Sequence, residues 1–140
     1  MVFNFLPYAS LGGLKFSMDR ADVRKLLGTP NKEFMKTAFS KNTTDGYLGF
    51  HIYYDTGNKV EAIEFTDDSS NNVVFQEVNL LTQSFQESVN FLSATDDELK
   101  IENDGLVSSN LGLAIYAPEH TLNPEAKIES LLLYRKGYFE

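Results

Sequence analysis

The residues with the clearest potential for chemistry are carboxylates. Asp55-Thr56-Gly57 follows two tyrosines and matches a triplet that can hold one of two carboxylates sharing a proton across a symmetric site. Its sequel is wrong for that chemistry. Asn58-Lys59 is polar and runs straight into the alternating segment Val60–Phe65, so the triplet reads as a hairpin turn with Gly57 free to take a positive φ. A second stretch, Lys100 to Ser109, carries Glu102 and Asp104-Gly105. Setting Gly105 at the sixth position of a calcium loop puts Lys100 at the first and Leu111 at the twelfth, where carboxylates are required. No such loop is encoded. Asp67-Asp68 and Asp96-Asp97-Glu98 read as exposed acidic clusters between elements.

Other reactive groups are few. The 140 residues contain no cysteine, which excludes disulfides, thiol nucleophiles and cysteine-ligated metals. Only two histidines occur. His51 stands between Phe50 and Ile52 and points to the opposite face from both, so it reads as an exposed sheet residue; His120 lies in a loop near Pro118 and Pro124. Neither belongs to a motif for nucleophilic or acid–base catalysis. Leu11-Gly12-Gly13-Leu14 is a bare glycine pair and no phosphate-binding glycine loop is present. The expectation is a protein without enzymatic activity, cofactor or metal.

Charge says more. The formal net charge is −8, unevenly spread. Residues 1–42 carry seven bases and three acids, +4; residues 43–104 carry thirteen acids against Lys59 and Lys100, −11; residues 105–140 stand at −1. So acidic a middle repels nucleic acid; it reads either as a solvated surface that keeps the protein soluble or as one that draws in a basic partner and speeds its association. No apolar run reaches the ~18–20 residues of a membrane span. The opening Met1-Val2-Phe3-Asn4-Phe5-Leu6-Pro7 has no basic flank and is interrupted by Asn4 and Pro7, making a poor signal peptide. A cytoplasmic protein is expected, with no membrane or nucleic-acid partner.

The elements that must position these charges come in two sets. Leu48-Gly49-Phe50-His51-Ile52-Tyr53-Tyr54 resembles Leu111-Gly112-Leu113-Ala114-Ile115-Tyr116-Ala117, and Lys59-Val60-Glu61-Ala62-Ile63-Glu64-Phe65 resembles Lys127-Ile128-Glu129-Ser130-Leu131-Leu132-Leu133. Alternation at period two makes all four segments strands with one buried face. A helix precedes each hairpin. The first starts at Asp19, whose side chain can cap it, runs Val23, Leu26 and Leu27 along an inward stripe with Arg24 and Lys25 outward, and stops at Gly28 before Pro30. The second opens on the capping box Ser84-Phe85-Gln86-Glu87 and presents Phe85, Val89 and Leu92. Further strands are expected over Glu33–Ser40, Asn72–Leu80, Leu99–Glu102 and Leu106–Val107. The fold expected is therefore α+β: one 1–140 domain, an antiparallel sheet with two short helices on one face, built from tandem helix-then-hairpin repeats at about 11–70 and 71–140. Leu26 and Leu27 belong to its expected core.

Met18, Val23, Leu26, Leu27, Gly28 and Pro30 resemble the opening of the module shared by beta-lactamase inhibitory protein and the SmpA/OmlA lipoproteins. Ser17 and Asp19 depart from its usual Gly and Thr, the second half lacks the Leu-Leu-Gly-x-Pro end, and the lipoproteins' acylated cysteine is missing. That module implies helices on an antiparallel sheet, duplicated in the inhibitor. The stretch Leu11-Gly12-Gly13-Leu14-Lys15-Phe16-Ser17-Met18 and the ending Lys127-Ile128-Glu129-Ser130-Leu131-Leu132-Leu133 resemble immunity proteins of bacterial polymorphic-toxin and contact-dependent inhibition systems. The resemblance implies a non-catalytic inhibitor that occludes a cognate toxin; the acidic middle suits a basic, nuclease-like one, and a monomer or weak dimer is the expected state. An interaction or scaffold module is the alternative, a small enzyme the third. The expected contacts are Asp67, Asp68, Asp96, Asp97, Glu98, Glu102 and Asp104, with Tyr47 and Tyr53 as aromatic anchors.

Overall fold

The computed structural model describes residues 1–66 and 70–139. In chain order its elements are β1 (Val2–Leu6), β2 (Ser10–Leu11), β3 (Leu14–Lys15), α1 (Arg20–Leu27), β4 (Lys32–Phe34), β5 (Thr44–Tyr47), β6 (Phe50–Tyr54), β7 (Val60–Thr66), β8 (Asn72–Phe75), β9 (Val78–Asn79), α2 (Phe85–Ser93), β10 (Lys100–Glu102), β11 (Gly105–Ser108), β12 (Leu113–Tyr116) and β13 (Ser130–Tyr134). Among the described residues no helix is long and apolar enough to cross a membrane.

The class is α+β, but the single expected sheet is two. An eight-stranded antiparallel sheet runs β10-β11-β12-β13-β7-β6-β5-β4, and a five-stranded sheet runs β3-β2-β1-β8-β9 with β1 and β8 parallel. The second sheet arises from the chain's start, where Phe3 and Phe5 are buried between exposed neighbours, the period-two signature of a strand covered on one side. Phe3 packs edge-on against Phe50 and Phe65 at 5.4 and 5.2 Å, joining the small sheet to the large one. The same core takes Val23 from α1 and Phe85 and Leu92 from α2. One face of the large sheet is thus covered by the main core; the other, the open face, carries only a smaller buried cluster, Tyr53, Ala62 and Tyr134, with Tyr8, Leu132 and Tyr138 against it.

Local chemistry explains the boundaries. Ser84 and Glu87 form the reciprocal capping box at α2. Asp19 precedes α1 without capping it, its carboxylate pairing instead with Lys59. Leu26 is not core: it is 52% exposed, while Leu27 is half-buried. Only Val23 is buried in α1; the positions beside it that meet the large sheet are Arg20 and Arg24. The expected strand Glu33–Ser40 stops at Phe34. Asn72–Leu80 is a tight hairpin, turning at Gln76 and Glu77, both at positive φ.

Candidate functional site

Strand alternation fixes what the open face displays. In the pairing registers, Phe34, Thr44, Tyr53, Ala62 and Tyr134 lie in one row, and Lys32, Gly46, His51, Glu64, Leu132, Ala114, Val107 and Lys100 in the next. At the β4 end, the Lys36 ammonium sits 4.3 Å from the Tyr53 ring centre and Lys32 4.8 Å from that of Phe34. Gly46 makes room for this: a Cβ there would stand 2.9 Å from the Lys32 side chain. His51 is half-buried rather than exposed, its ring edge-on to Phe34 at 5.1 Å. Burial pulls its pKa below the ordinary value, with Glu64 opposing and Lys32 and Lys36 assisting.

The middle is aromatic. Tyr53, Ala62 and Tyr134 form a small second core with Tyr8, Leu132 and Tyr138 against it, and Tyr53 donates its hydroxyl hydrogen bond to Glu64. Burial, then that carboxylate, raises the Tyr53 pKa well above the usual tyrosine range, so the phenol stays protonated. Tyr138 and Phe139 pack on Tyr134 at 5.7 and 4.8 Å.

The β10 end is acidic and hollow. Glu64, Glu102 and Asp104 border a depression of about 190 Å³ walled by Leu132, Val107, Ala114 and Tyr116. Beside it a second hollow of about 330 Å³ is lined by Glu98, Lys100, Glu102, Val107, Tyr134 and Phe139. Glu98, Glu102 and Asp104 are exposed and Glu64 is half-buried; carboxylates around apolar walls suit basic side chains with aliphatic stems.

The expected contact residues separate. Glu102, Asp104 and Glu98 come together on this end, and Asp97 is exposed nearby in sequence. Asp96 is 1% exposed: it accepts from Ser108 Oγ (2.6 Å), Asn110 Nδ2 (2.7 Å) and the Glu98 amide (2.9 Å), committing its carboxylate to the interior. Tyr47 lies on the covered side, stacked on Phe50 at 5.3 Å and donating to the Gly28 carbonyl. Tyr53 is on the open face but only 6% exposed, a floor beneath Lys36. Asp67 and Asp68 lie outside the described residues.

The densest charge cluster was invisible in the sequence. Asp45, wholly buried, accepts from Arg20 Nη2 at 2.8 Å, Arg24 Nη2 at 2.6 Å, Arg24 Nε at 2.9 Å and the Tyr54 hydroxyl at 3.1 Å. Glu33 completes the cluster through Arg24 and Thr43. Burial pushes the Asp45 carboxyl up, but the two guanidinium groups outweigh it and hold it below the usual carboxylate range. Two cations against two anions leave a balanced, structural cluster. Asp55 in the Asp-Thr-Gly segment is likewise spoken for: it accepts from the Gly57 and Lys59 amides and from Arg135, the bonding of a turn. Among the described residues no group of three or more His, Asp or Glu side chains is placed to hold a metal ion.

No protein-family model, curated protein or solved structure shows significant similarity to this chain.

Proposed function

We propose that this chain is a non-catalytic protein inhibitor of the immunity type, acting in the cytoplasm, whose open sheet face occludes a basic, nuclease-like toxin. The observation that carries the reading is the β10 end of that face. There Glu64, Glu102 and Asp104 surround a hollow with Leu132 and Tyr116 in its walls, pairing charge with an apolar anchor site as protein interfaces do. A duplicated origin fits the same reading. Each half offers a helix and a four-stranded meander, β4-β5-β6-β7 and β10-β11-β12-β13, meeting at β7 and β13. Each helix's N-cap bridges a lysine ahead of the last strand: Asp19 with Lys59, Ser84 with Lys127. Two copies joined edge to edge make one continuous eight-stranded face.

The experiment is co-expression with the product of the gene that directly precedes this one, where an immunity gene's toxin is expected to lie. The reading expects growth to be rescued and the two chains to purify as one complex. Toxicity unrelieved and no complex would reject it.

A further inference from the structure

We propose that the hollow beside Phe139, at the β10 end of the open face, is an arginine pocket that takes one guanidinium side chain of the protein bound there. That the bound protein is a toxin rests on the reading above; the chemistry of the pocket does not. A volume of about 330 Å³ is at the low end for a ligand site, room for one long side chain rather than a segment of chain. Glu98 and Glu102 bring negative charge to it, Val107 and Phe139 an apolar wall. Glu102 also borders the neighbouring hollow with Glu64 and Asp104. Along the two hollows, four carboxylates thus face the single base Lys100.

The acceptors there are uncommitted. Among the described residues neither Glu98 nor Glu102 is in an ion pair, although Lys100 lines the same hollow. The Glu98 carboxylate accepts one long bond, from Asn110 Nδ2 at 3.3 Å. A buried group points the same way. Tyr134 lines the hollow and is 4% exposed, yet among the described residues its hydroxyl meets no partner in good hydrogen-bond geometry. The hydroxyl of its neighbour Tyr8 is committed to the Ser109 carbonyl. Burial, then Tyr8, raises the Tyr134 pKa above the usual tyrosine range, so it stands as a neutral phenol whose oxygen accepts. Such a group gains from any ligand that pairs it.

Phe139 selects guanidinium over ammonium. Its ring packs on Tyr134 at 4.8 Å and on Tyr138 at 4.9 Å, and is still 65% exposed, which leaves π surface free. A planar, weakly hydrated guanidinium stacks on such a ring and forks its N–H donors among several acceptors. Here those acceptors are two carboxylates and a phenol oxygen. An ammonium is compact and strongly hydrated, so it gains less from the ring and gives up more water against the apolar wall. Lys100, exposed beside both carboxylates, competes with the incoming cation.

Titration of the isotope-labelled protein with N-acetyl-arginine amide, followed through backbone amide shifts, tests this without any toxin. Saturable binding is expected, with a dissociation constant of about 1–10 mM and the largest shifts at Glu98, Lys100, Val107 and Phe139. N-acetyl-lysine amide should bind about fivefold more weakly, and the neutral isostere N-acetyl-citrulline amide should not bind. Glu102→Gln should weaken arginine binding about tenfold, and Tyr134→Phe about threefold. Phe139→Ala should erase the preference over lysine, and Lys100→Gln should tighten binding by removing the competing cation. Preserved amide dispersion confirms that each variant is folded. No saturable binding up to ~100 mM, equal affinity for lysine, or variants that bind as wild type does would each overturn the proposal. Shifts as large at Glu119 and Glu125 would show general charge attraction and overturn it too. The probe is a single amino-acid derivative, so its failure removes the pocket and leaves toxin binding to the co-expression experiment. Binding of the probe with no rescue in that experiment keeps the pocket and rejects the toxin.

Discussion

Arg24 grips the Asp45 carboxylate side-on, Nε to Oδ2 at 2.9 Å and Nη2 to Oδ1 at 2.6 Å. This bidentate fork ties α1 to β5 across the covered side of the large sheet. Removing a partner from a buried pair strands the remaining charge, at about 3–5 kcal/mol. Asp45→Ala is therefore expected to lower unfolding free energy by about 3 kcal/mol in urea titration. Glu33→Ala, removing an exposed partner of the same arginine, should leave the urea midpoint close to that of the wild type.

Asp96 and Asp97 are neighbours with opposite roles. Asp96 is buried and holds Ser108, Asn110 and the Glu98 amide; Asp97 is exposed. Asp96→Ala should destabilise by about 1–3 kcal/mol by leaving buried donors unpaired. Asp97→Ala should leave the urea midpoint within error of wild type.

Gly105 begins β11 where the backbone of β12 passes close. A Cβ at this position would lie 1.8 Å from the Ile115 carbonyl oxygen, a clash with main chain rather than with a movable side chain. Gly105→Ala should cost about 3 kcal/mol or more, and backbone amide shifts in β11 and β12 should report the displacement.

Acid should weaken the fold in two stages. His51 has a pKa lowered chiefly by burial, so its contribution is complete above the unfolded value near 6.5 and is lost as pH falls from there through the folded value. Asp45, Asp55 and Asp96 are held low because hydrogen bonds outweigh burial; their contribution is complete above about pH 4 and lost as pH falls further. Urea midpoints measured from neutral pH downward should show both limbs. His51→Gln should flatten the upper limb only, and a His51→Gln protein that keeps it would contradict the assignment.

Local signals in the sequence located much of this fold. Ser84 and Glu87 mark α2, Gly28 ends α1, and the alternation around Ile52 and Ile63 places β6 and β7, because each depends on residues a few positions apart. What escaped depends on distant partners. Leu26 fits an apolar stripe, yet α1 turns Arg20 and Arg24 toward the sheet because Asp45, over twenty residues away, lies buried there. Tyr47 alternates as a strand residue should, but nothing local says which face the body covers. Asp96 offered one readable clue, an Asp whose side chain can accept from the amide two residues on, a bond it makes to Glu98.

The central claim is that the acidic end of the open face receives a basic partner, and the most direct measurement is the association rate with the cognate toxin as a function of salt. Glu102→Lys/Asp104→Lys should slow association about tenfold or more at low ionic strength and approach wild type at high salt, where the charges are screened. The control Glu119→Lys/Glu125→Lys, altering exposed acids in the connection ahead of β13, should associate at close to the wild-type rate. A control that slows association more than the open-face variant would place the interface elsewhere and contradict the account.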